Sequence, residues 1–136
     1  MSFEEEYNYQ HITTNEIAAE YIASNDVFEV LLREVRELSK KKPDATMSKA
    51  KVKIVNRVLE NLLTVLEGQP EAKYLEALDD DELPQVSDAL LIMVQFKSAL
   101  ESFRARYFKR VRGDFQWVTQ ELLEQLRKEY EEYEYR

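Results

Sequence analysis

The sequence contains no cysteine, only two glycines and three prolines, and a single histidine among its 136 residues. Without cysteine the chain cannot form disulfides, thiolate zinc sites or cysteine nucleophiles. Tight hairpins and phosphate-binding loops usually need glycine for backbone conformations with positive φ, so this composition favours long helices joined by short connections. His11 falls in a polar N-terminal stretch without helical periodicity, and we therefore expect no Ser-His-Asp site.

Long apolar runs are also missing, since none approaches the ~18 residues of a membrane span. The first six residues are acidic where a signal peptide would be basic and then apolar. We expect a cytoplasmic protein with no membrane partner, no cofactor and no bound metal. The net charge is -8, which disfavours nucleic acid as a partner of the whole surface because phosphate is repelled, although a local basic patch can still bind it.

Apolar residues recur at helical spacing along most of the chain. The longest segment without a helix breaker runs from Val86 to Arg112, and Lys40–Lys42 followed by Pro43 is typical of a helix end. The pattern predicts four main helices within residues 15–42, 46–68, 84–112 and 114–136, with a short cross helix over residues 70–78.

The fold class predicted from these elements is all-α: an antiparallel up-and-down bundle of four main helices, with the short cross helix and an N-terminal arm. We expect residues 1–14 to form a flexible arm and residues 15–136 to form a single domain. Thr13 and Glu16 have the spacing of a capping box at the first helix. Ser24–Asp26 offers a second cap, which predicts a break or kink there.

Basic residues concentrate in two blocks, of net charge +6 over residues 39–57 and +5 over residues 103–112, while the other blocks are acidic. In an up-and-down bundle both blocks come to the same end, provided that residues 70–78 do not span the bundle. Such an end would attract an anionic partner, although cations also suit helix C-termini without any partner. The predicted partner-binding residues of this basic end are Lys41, Lys42, Lys49, Arg104, Arg106, Lys109 and Arg110.

Tyrosines crowd the two termini among glutamates. Tyrosine combines contact area with a polar tip and is enriched at protein interfaces. We therefore predict that Tyr7, Tyr9 and Tyr135 bind a partner. Opposite charge at opposite ends also permits head-to-tail contact, so a homodimer is a further expectation.

Three functions fit these observations. The first is a non-enzymatic protein-interaction module, such as an adaptor, subunit or regulator, that uses the basic end and the acidic, tyrosine-rich termini. The second is an acidic inhibitor that mimics nucleic acid, and the third is a carboxylate-metal nucleotide hydrolase. The pairs Glu34/Glu37 and Glu76/Asp79 faintly resemble the Glu-x-x-Glu and Glu-x-x-Asp pattern of all-α nucleotide pyrophosphohydrolases, which implies a magnesium site. Nucleic-acid binding through the basic end also stays open.

Overall fold

A computed structural model describes residues 2–135, so Met1 and Arg136, which the predicted arm and bundle include, lie outside the described residues. The elements in chain order are α1 (Phe3–Glu6), α2 (Asn15–Lys41), α3 (Lys49–Val65), a 3₁₀ helix (Pro70–Tyr74), α4 (Val86–Tyr107), β1 (Phe108–Val111), β2 (Asp114–Trp117) and α5 (Gln120–Glu134). The prediction of a mostly helical fold is confirmed, but the chain also has a two-stranded sheet. Within the described part, no helix is both long enough and apolar enough to cross a bilayer.

The contacts group the chain into two compact units. The middle unit consists of Glu20–Phe103, and the terminal unit consists of residues 1–19 and 104–136, of which residues 2–19 and 104–135 are described. Each unit has its own buried side chains. The predicted single domain over residues 15–136 stays a prediction.

Helix α3 shows why the middle unit is helical. Ser48 caps its start, because the Ser48 hydroxyl oxygen accepts a hydrogen bond from the backbone N–H of Lys51 at 3.2 Å. Apolar side chains then follow at spacings of three and four residues, which places them on one side of the helix. These side chains are all buried: Val52, Val55, Leu59, Leu62 and Val65.

Contacts of Asn61 place α2 and α3 side by side and in opposite directions. The side-chain amide of Asn61, near the end of α3, donates to the carboxylate of Glu20 at 3.0 Å and also to the hydroxyl of Ser24. Ser24 is buried and α2 continues through it to Lys41. The predicted break at Ser24–Asp26 is therefore wrong, because the hydroxyl of Ser24 bonds to α3 instead of capping a new helix.

Helix α4 also runs antiparallel to α2. The hydroxyl of Tyr21 donates to the carbonyl of Leu100 at 3.2 Å, and its ring stacks on Phe103 with centroids 5.3 Å apart. Further along, the ammonium of Lys97 lies 3.0 Å from the carboxylate of Glu29. Since α3 and α4 are both antiparallel to α2, they begin at the same end of the middle unit.

The backbone at the start of α4 agrees with this order of helices. The N–H of Val86 donates to the carbonyl of Ala45, in the α2–α3 connection, at 2.8 Å. If residues 70–78 did not span the bundle, as predicted, α4 would begin beside the end of α3. This prediction is wrong, because the chain between α3 and α4 returns to the end of the middle unit where α3 began.

The returning chain is mostly not α-helical, which explains how so few residues cover the distance. Extended chain advances about 3.3 Å per residue against 1.5 Å in a helix. Only the five residues of the 3₁₀ helix are helical within residues 66–85. Asn56 on α3 anchors the path, since its amide donates to the carbonyl of Leu78 and accepts from the N–H of Leu78, both at 2.8 Å.

The terminal unit has a core built from both ends of the chain. Phe3 packs with Val111, Val118 and Leu126 in one buried cluster. The N–H of Thr13 donates to the carbonyl of Val118 at 3.0 Å. These contacts argue against a separate arm at residues 1–14, because its residues contribute to a core.

The start of α2 also differs from its predicted cap. The hydroxyl of Thr14 accepts from the N–H of Ile17 at 3.2 Å, so Thr14 caps the helix. Thr13 is buried and forms an isolated parallel bridge with Thr119. The predicted capping box of Thr13 and Glu16 is therefore wrong by one residue.

A β-hairpin replaces the predicted end of the third main helix. Helix α4 ends at Tyr107, and β1 and β2 follow with Arg112 and Gly113 between them. Both turn residues have positive φ, 54° and 87°, which is the requirement of the tight two-residue hairpin turn. Helix α5 then begins at Gln120 with Thr119 as its cap, since the hydroxyl of Thr119 accepts from the N–H of Leu122 at 3.1 Å.

Candidate interaction surface on the β-hairpin

The register of the hairpin gathers aromatic and cationic residues on one side of the sheet. Phe108 pairs with Trp117, and Arg110 pairs with Phe115. Alternate residues of a strand point to the same side, so these four side chains share one face. Arg104, in the last turn of α4, places its guanidinium over the ring of Phe108 at 4.7 Å. We call these five residues the cationic aromatic face.

The rings of this face contact one another, yet one of them remains open to solvent. Phe108 lies 5.8 Å from Phe115 and 5.2 Å from Trp117, measured between ring centroids. Arg110 lies over Phe115 at 5.4 Å. Phe115 nevertheless keeps 59% of its surface exposed. The exposed ring of Phe115 and the guanidinium above it therefore offer apolar and cationic contact area next to each other.

The arginines of the face have no carboxylate partner among the described residues. Neither Arg104 nor Arg110 forms an ion pair within residues 2–135. By contrast, Arg112 in the turn lies 2.7 Å from the carboxylate of Glu129, and this contact lowers the pKa of Glu129 below its ordinary value. The face therefore presents two cations that remain available to an acidic partner.

Contacts from the N-terminal segment hold the hairpin in place. The hydroxyl of Tyr9 donates to the carbonyl of Arg110 at 3.1 Å, and the Nε of Arg112 donates to the hydroxyl oxygen of Tyr7 at 3.1 Å. Tyr7 and Tyr9, which were predicted to bind a partner, are both half-buried. Their described contacts are those of residues that support the hairpin, and partner binding by them stays a prediction.

The seven residues of the predicted basic end are divided between the two units. Lys41, Lys42 and Lys49 belong to the middle unit, whereas the other four belong to the terminal unit: Arg104, Arg106, Lys109 and Arg110. Arg104 and Arg106 lie in the last turn of α4. The single basic end that would carry both groups stays a prediction.

The arginine group itself divides into three environments. Arg104 and Arg110 belong to the cationic aromatic face. Lys109 lies on the opposite side of the hairpin, paired with Gln116, and is exposed. Arg106 is half-buried and has contacts of its own.

The lysine group lies in the middle unit. Lys41, Lys42 and Lys49 are all exposed. Lys49 lines an open depression of about 450 Å³ with two further cations of α3, Lys53 and Arg57. The acidic side chains of Glu60 and Asp80 line the same depression and offset part of that positive charge.

Tyr135, the third predicted tyrosine, is 92% exposed. It lies near the end of α5 and lines a shallow depression with Lys128, Glu131 and Glu132. Glu131 and Glu132 are exposed and form no ion pair within the described residues. This part of the chain is therefore an acidic surface with an aromatic side chain at its centre.

Some of the acidic residues that could hold a metal ion have hydrogen-bond or ion-pair partners within the protein. Asp79, Asp80 and Asp81 lie close enough together to share an ion, and all three are exposed. One carboxylate oxygen of Asp79 accepts from the N–H of Asp81 at 2.8 Å and from that of Glu82 at 3.0 Å, which lowers the pKa of Asp79. These hydrogen bonds form a turn, and the turn explains why the three carboxylates lie close together. In the predicted Glu34/Glu37 pair, Glu37 lies 2.9 Å from the ammonium of Lys40.

Sequence reasoning missed three residues of the face: Phe108, Phe115 and Trp117. The signal is present in Phe108–Trp117, where two short segments rich in β-formers flank Arg112-Gly113. Glycine at the second turn position between two such segments is typical of a two-residue hairpin, provided that the helix ends before them. Comparisons with protein-family models, with curated proteins and with solved structures find no match to this chain.

Proposed function

We propose that this chain is a non-enzymatic protein-interaction module that binds its partner through the cationic aromatic face. The observation that carries the proposal is Phe115, which is exposed beside Arg110 and in contact with Phe108. Aromatic residues and arginine are the side chains most enriched at the energetic centres of protein interfaces. The predicted cytoplasmic location is retained as part of the proposal.

The partner is an acidic protein segment that carries an aromatic side chain. Guanidinium groups bind carboxylates with two parallel hydrogen bonds, which gives both affinity and orientation. Arg110 lies over Phe115 and Arg104 lies over the neighbouring ring of Phe108, so carboxylates on either side of an aromatic residue match them. A nucleic-acid strand also stacks on aromatic rings. Its charge is one phosphate per nucleotide, however, and two arginines neutralise only a small part of that charge beside a chain of net charge -8.

The face is ordered before the partner arrives, and this supports affinity. Arg104 rests on Phe108 and Arg110 on Phe115, so each guanidinium loses little freedom on binding. Immobilising a long side chain otherwise costs about 0.5–1.5 kcal/mol. The hairpin is also held to the N-terminal segment, because the hydroxyl of Tyr9 bonds to the carbonyl of Arg110.

The proposal is tested by titration with a synthetic peptide of alternating glutamate and tyrosine. Trp117 is the only tryptophan of the chain and belongs to the face, so its fluorescence reports binding directly. We expect Phe115→Ser and Arg110→Glu each to weaken binding by about tenfold or more, as at an interface hot spot. The matched control is Arg33→Glu, which reverses an exposed arginine of α2 and leaves the affinity unchanged.

Two further probes define what would contradict the proposal. A peptide with serine in place of tyrosine, and one with glutamine in place of glutamate, are both expected to bind more weakly. Equal affinity of the wild-type chain and Arg110→Glu would remove the face from the account. Tighter binding of single-stranded oligothymidylate than of the acidic peptide would assign the face to nucleic acid instead. The triple change Lys41→Glu, Lys42→Glu and Lys49→Glu tests the lysine group by the same titration, and we expect no loss of affinity.

A further inference from the structure

The end of α5 has the chemistry that the proposed partner requires. Glu131, Glu132 and Tyr135 line one depression together with Lys128, which offsets one of the two carboxylates, and Tyr135 is 92% exposed. We call Glu131, Glu132 and Tyr135 the acidic tyrosine end. It is the complement of the cationic aromatic face, because two carboxylates beside an exposed tyrosine match two guanidiniums beside an exposed phenylalanine.

We propose that the cationic aromatic face binds the acidic tyrosine end of a second copy of this chain. The inference rests on the proposed function, since it names the partner of the same face. It commits to a second copy because charge and aromatic complementarity are both found on one molecule. Arginine–carboxylate pairs then form between copies, and Phe115 contacts Tyr135.

The guanidiniums of the cationic aromatic face and the carboxylates of the acidic tyrosine end do not pair within one copy. Arg112 already bonds to Glu129 at 2.7 Å, which fixes α5 against the hairpin turn two residues before Glu131. Beyond that point, Glu131 and Glu132 have no ion pair among the described residues, and Arg104 and Arg110 have none either. The complementary groups of one chain are therefore left for another chain.

A two-fold axis makes this contact occur twice, since each copy offers both surfaces. The five residues of the face are fewer than the roughly 20–30 residues per side of a stable interface, so the doubled contact gives a weak, reversible dimer. Both ion-pair groups are solvent-exposed. Added salt therefore weakens the association, because exposed charges are screened within about 10 Å at 0.1 M ionic strength.

Charge exchange between two variants provides the test. The face variant carries Arg104→Glu and Arg110→Glu, and the tail variant carries Glu131→Lys and Glu132→Lys. Sedimentation equilibrium at up to about 1 mM, the weak limit of specific association, is expected to give dimers for the wild type. Each variant alone is expected to dimerise at least tenfold more weakly, because like charges then face each other.

An equimolar mixture of the two variants is expected to restore the dimer, because both contacts of the mixed pair are complementary again. A matched control, Arg33→Glu with Arg36→Glu, reverses two exposed arginines of α2 and is expected to dimerise as the wild type does. Circular dichroism of every variant establishes that it is folded, and recovery in the mixture cannot arise from misfolded chains.

Three results would overturn the inference: a monomeric wild type, variants that dimerise as strongly as the wild type, or a mixture that fails to recover. The peptide titration separates this failure from that of the proposed function. A face that binds the acidic peptide while the chains remain monomeric keeps the interaction module and rejects the second copy as its partner.

Discussion

Replacing Phe3 with alanine tests whether the first residues of the chain belong to the core of the terminal unit. Phe3 is only 7% exposed. Its ring lies 5.0 Å from that of Tyr7 and 5.9 Å from that of Tyr130, measured between centroids, and the guanidinium of Arg127 lies over it at 4.4 Å. All of these contacts are lost in Phe3→Ala, and a cavity opens beside Leu126.

The expected loss in the free energy of unfolding is about 3 kcal/mol. Truncation of a buried phenylalanine to alanine costs roughly 3–5 kcal/mol. The lower end applies because Phe3 is near the terminus, where residues 2–10 can detach locally and limit the loss. Helix α1 has four residues, too few to be stable without its packing, so its detachment follows the loss of the ring.

Urea denaturation followed by the fluorescence of Trp117 measures this effect in the terminal unit. The control is Tyr133→Ala, on the same helix as Arg127, because Tyr133 is 80% exposed and such changes usually stay within about 0.5 kcal/mol. A loss below about 0.5 kcal/mol for Phe3→Ala would refute the packing and favour the flexible arm predicted from the sequence.

Three other predictions follow from local geometry. Gly113→Ala is expected to destabilise the terminal unit by about 1–2 kcal/mol in thermal denaturation, because φ is 87° there while a Cβ would meet no atom within 4 Å. Asn56→Ala is expected to cost about 2–3 kcal/mol in urea denaturation and to speed amide exchange at Leu78, because both backbone groups of Leu78 lose a partner. Arg112→Gln is expected to lower stability most above about pH 4.5. The pKa of Glu129 is lowered in the folded chain, so this stabilisation is present above the unfolded pKa and is lost as the pH falls through the folded pKa.

Each of these predictions has a result that would contradict it. An unchanged melting temperature in Gly113→Ala would mean that the hairpin turn differs from the one described. Unaltered exchange at Leu78 in Asn56→Ala would remove the anchor of the returning chain. A stability difference between Arg112→Gln and the wild type that stays constant from pH 7 to pH 3 would show that the carboxylate of Glu129 plays no part.

The helical regions could be predicted because the spacing of apolar residues indicates which face of each helix is buried. Val52, Val55, Leu59 and Leu62 are buried at that spacing, and Ser48 caps the helix. These are local properties: the cap depends on the first turn of the helix, and the burial depends on one of its faces. Burial therefore follows the pattern even where the connections between helices do not.

The connection from α3 to α4 could not be predicted, because it depends on a tertiary contact. A short helix at Pro70 is a local signal and is present as a 3₁₀ helix. The chain after it has no periodic pattern, and its path is set by Asn56, whose side chain bonds both backbone groups of Leu78. No sequence pattern connects residues 22 positions apart in this way, so the direction of α4 was misjudged.

The cationic aromatic face was missed for a different reason. Arg104, Phe108 and Arg110 fit a helix as well as they fit a strand, and a continuous helix would have separated Phe108 from Trp117. Arg112 and Gly113 determine that this segment forms a hairpin and not a helix, because their positive φ values reverse the chain. Only after this reversal do Phe115 and Trp117 pair with β1 and complete the surface.

Photo-crosslinking from position 115 tests most directly whether the cationic aromatic face binds an acidic partner. A benzophenone amino acid replaces Phe115 in the full chain, which is irradiated with a biotinylated peptide of glutamate and tyrosine. A second chain carries the same group in place of Tyr74, which is 71% exposed in the middle unit. We expect a yield several-fold higher from position 115, abolished by Arg104→Glu with Arg110→Glu. Equal yields from the two positions, or a yield that survives the charge reversal, would contradict it.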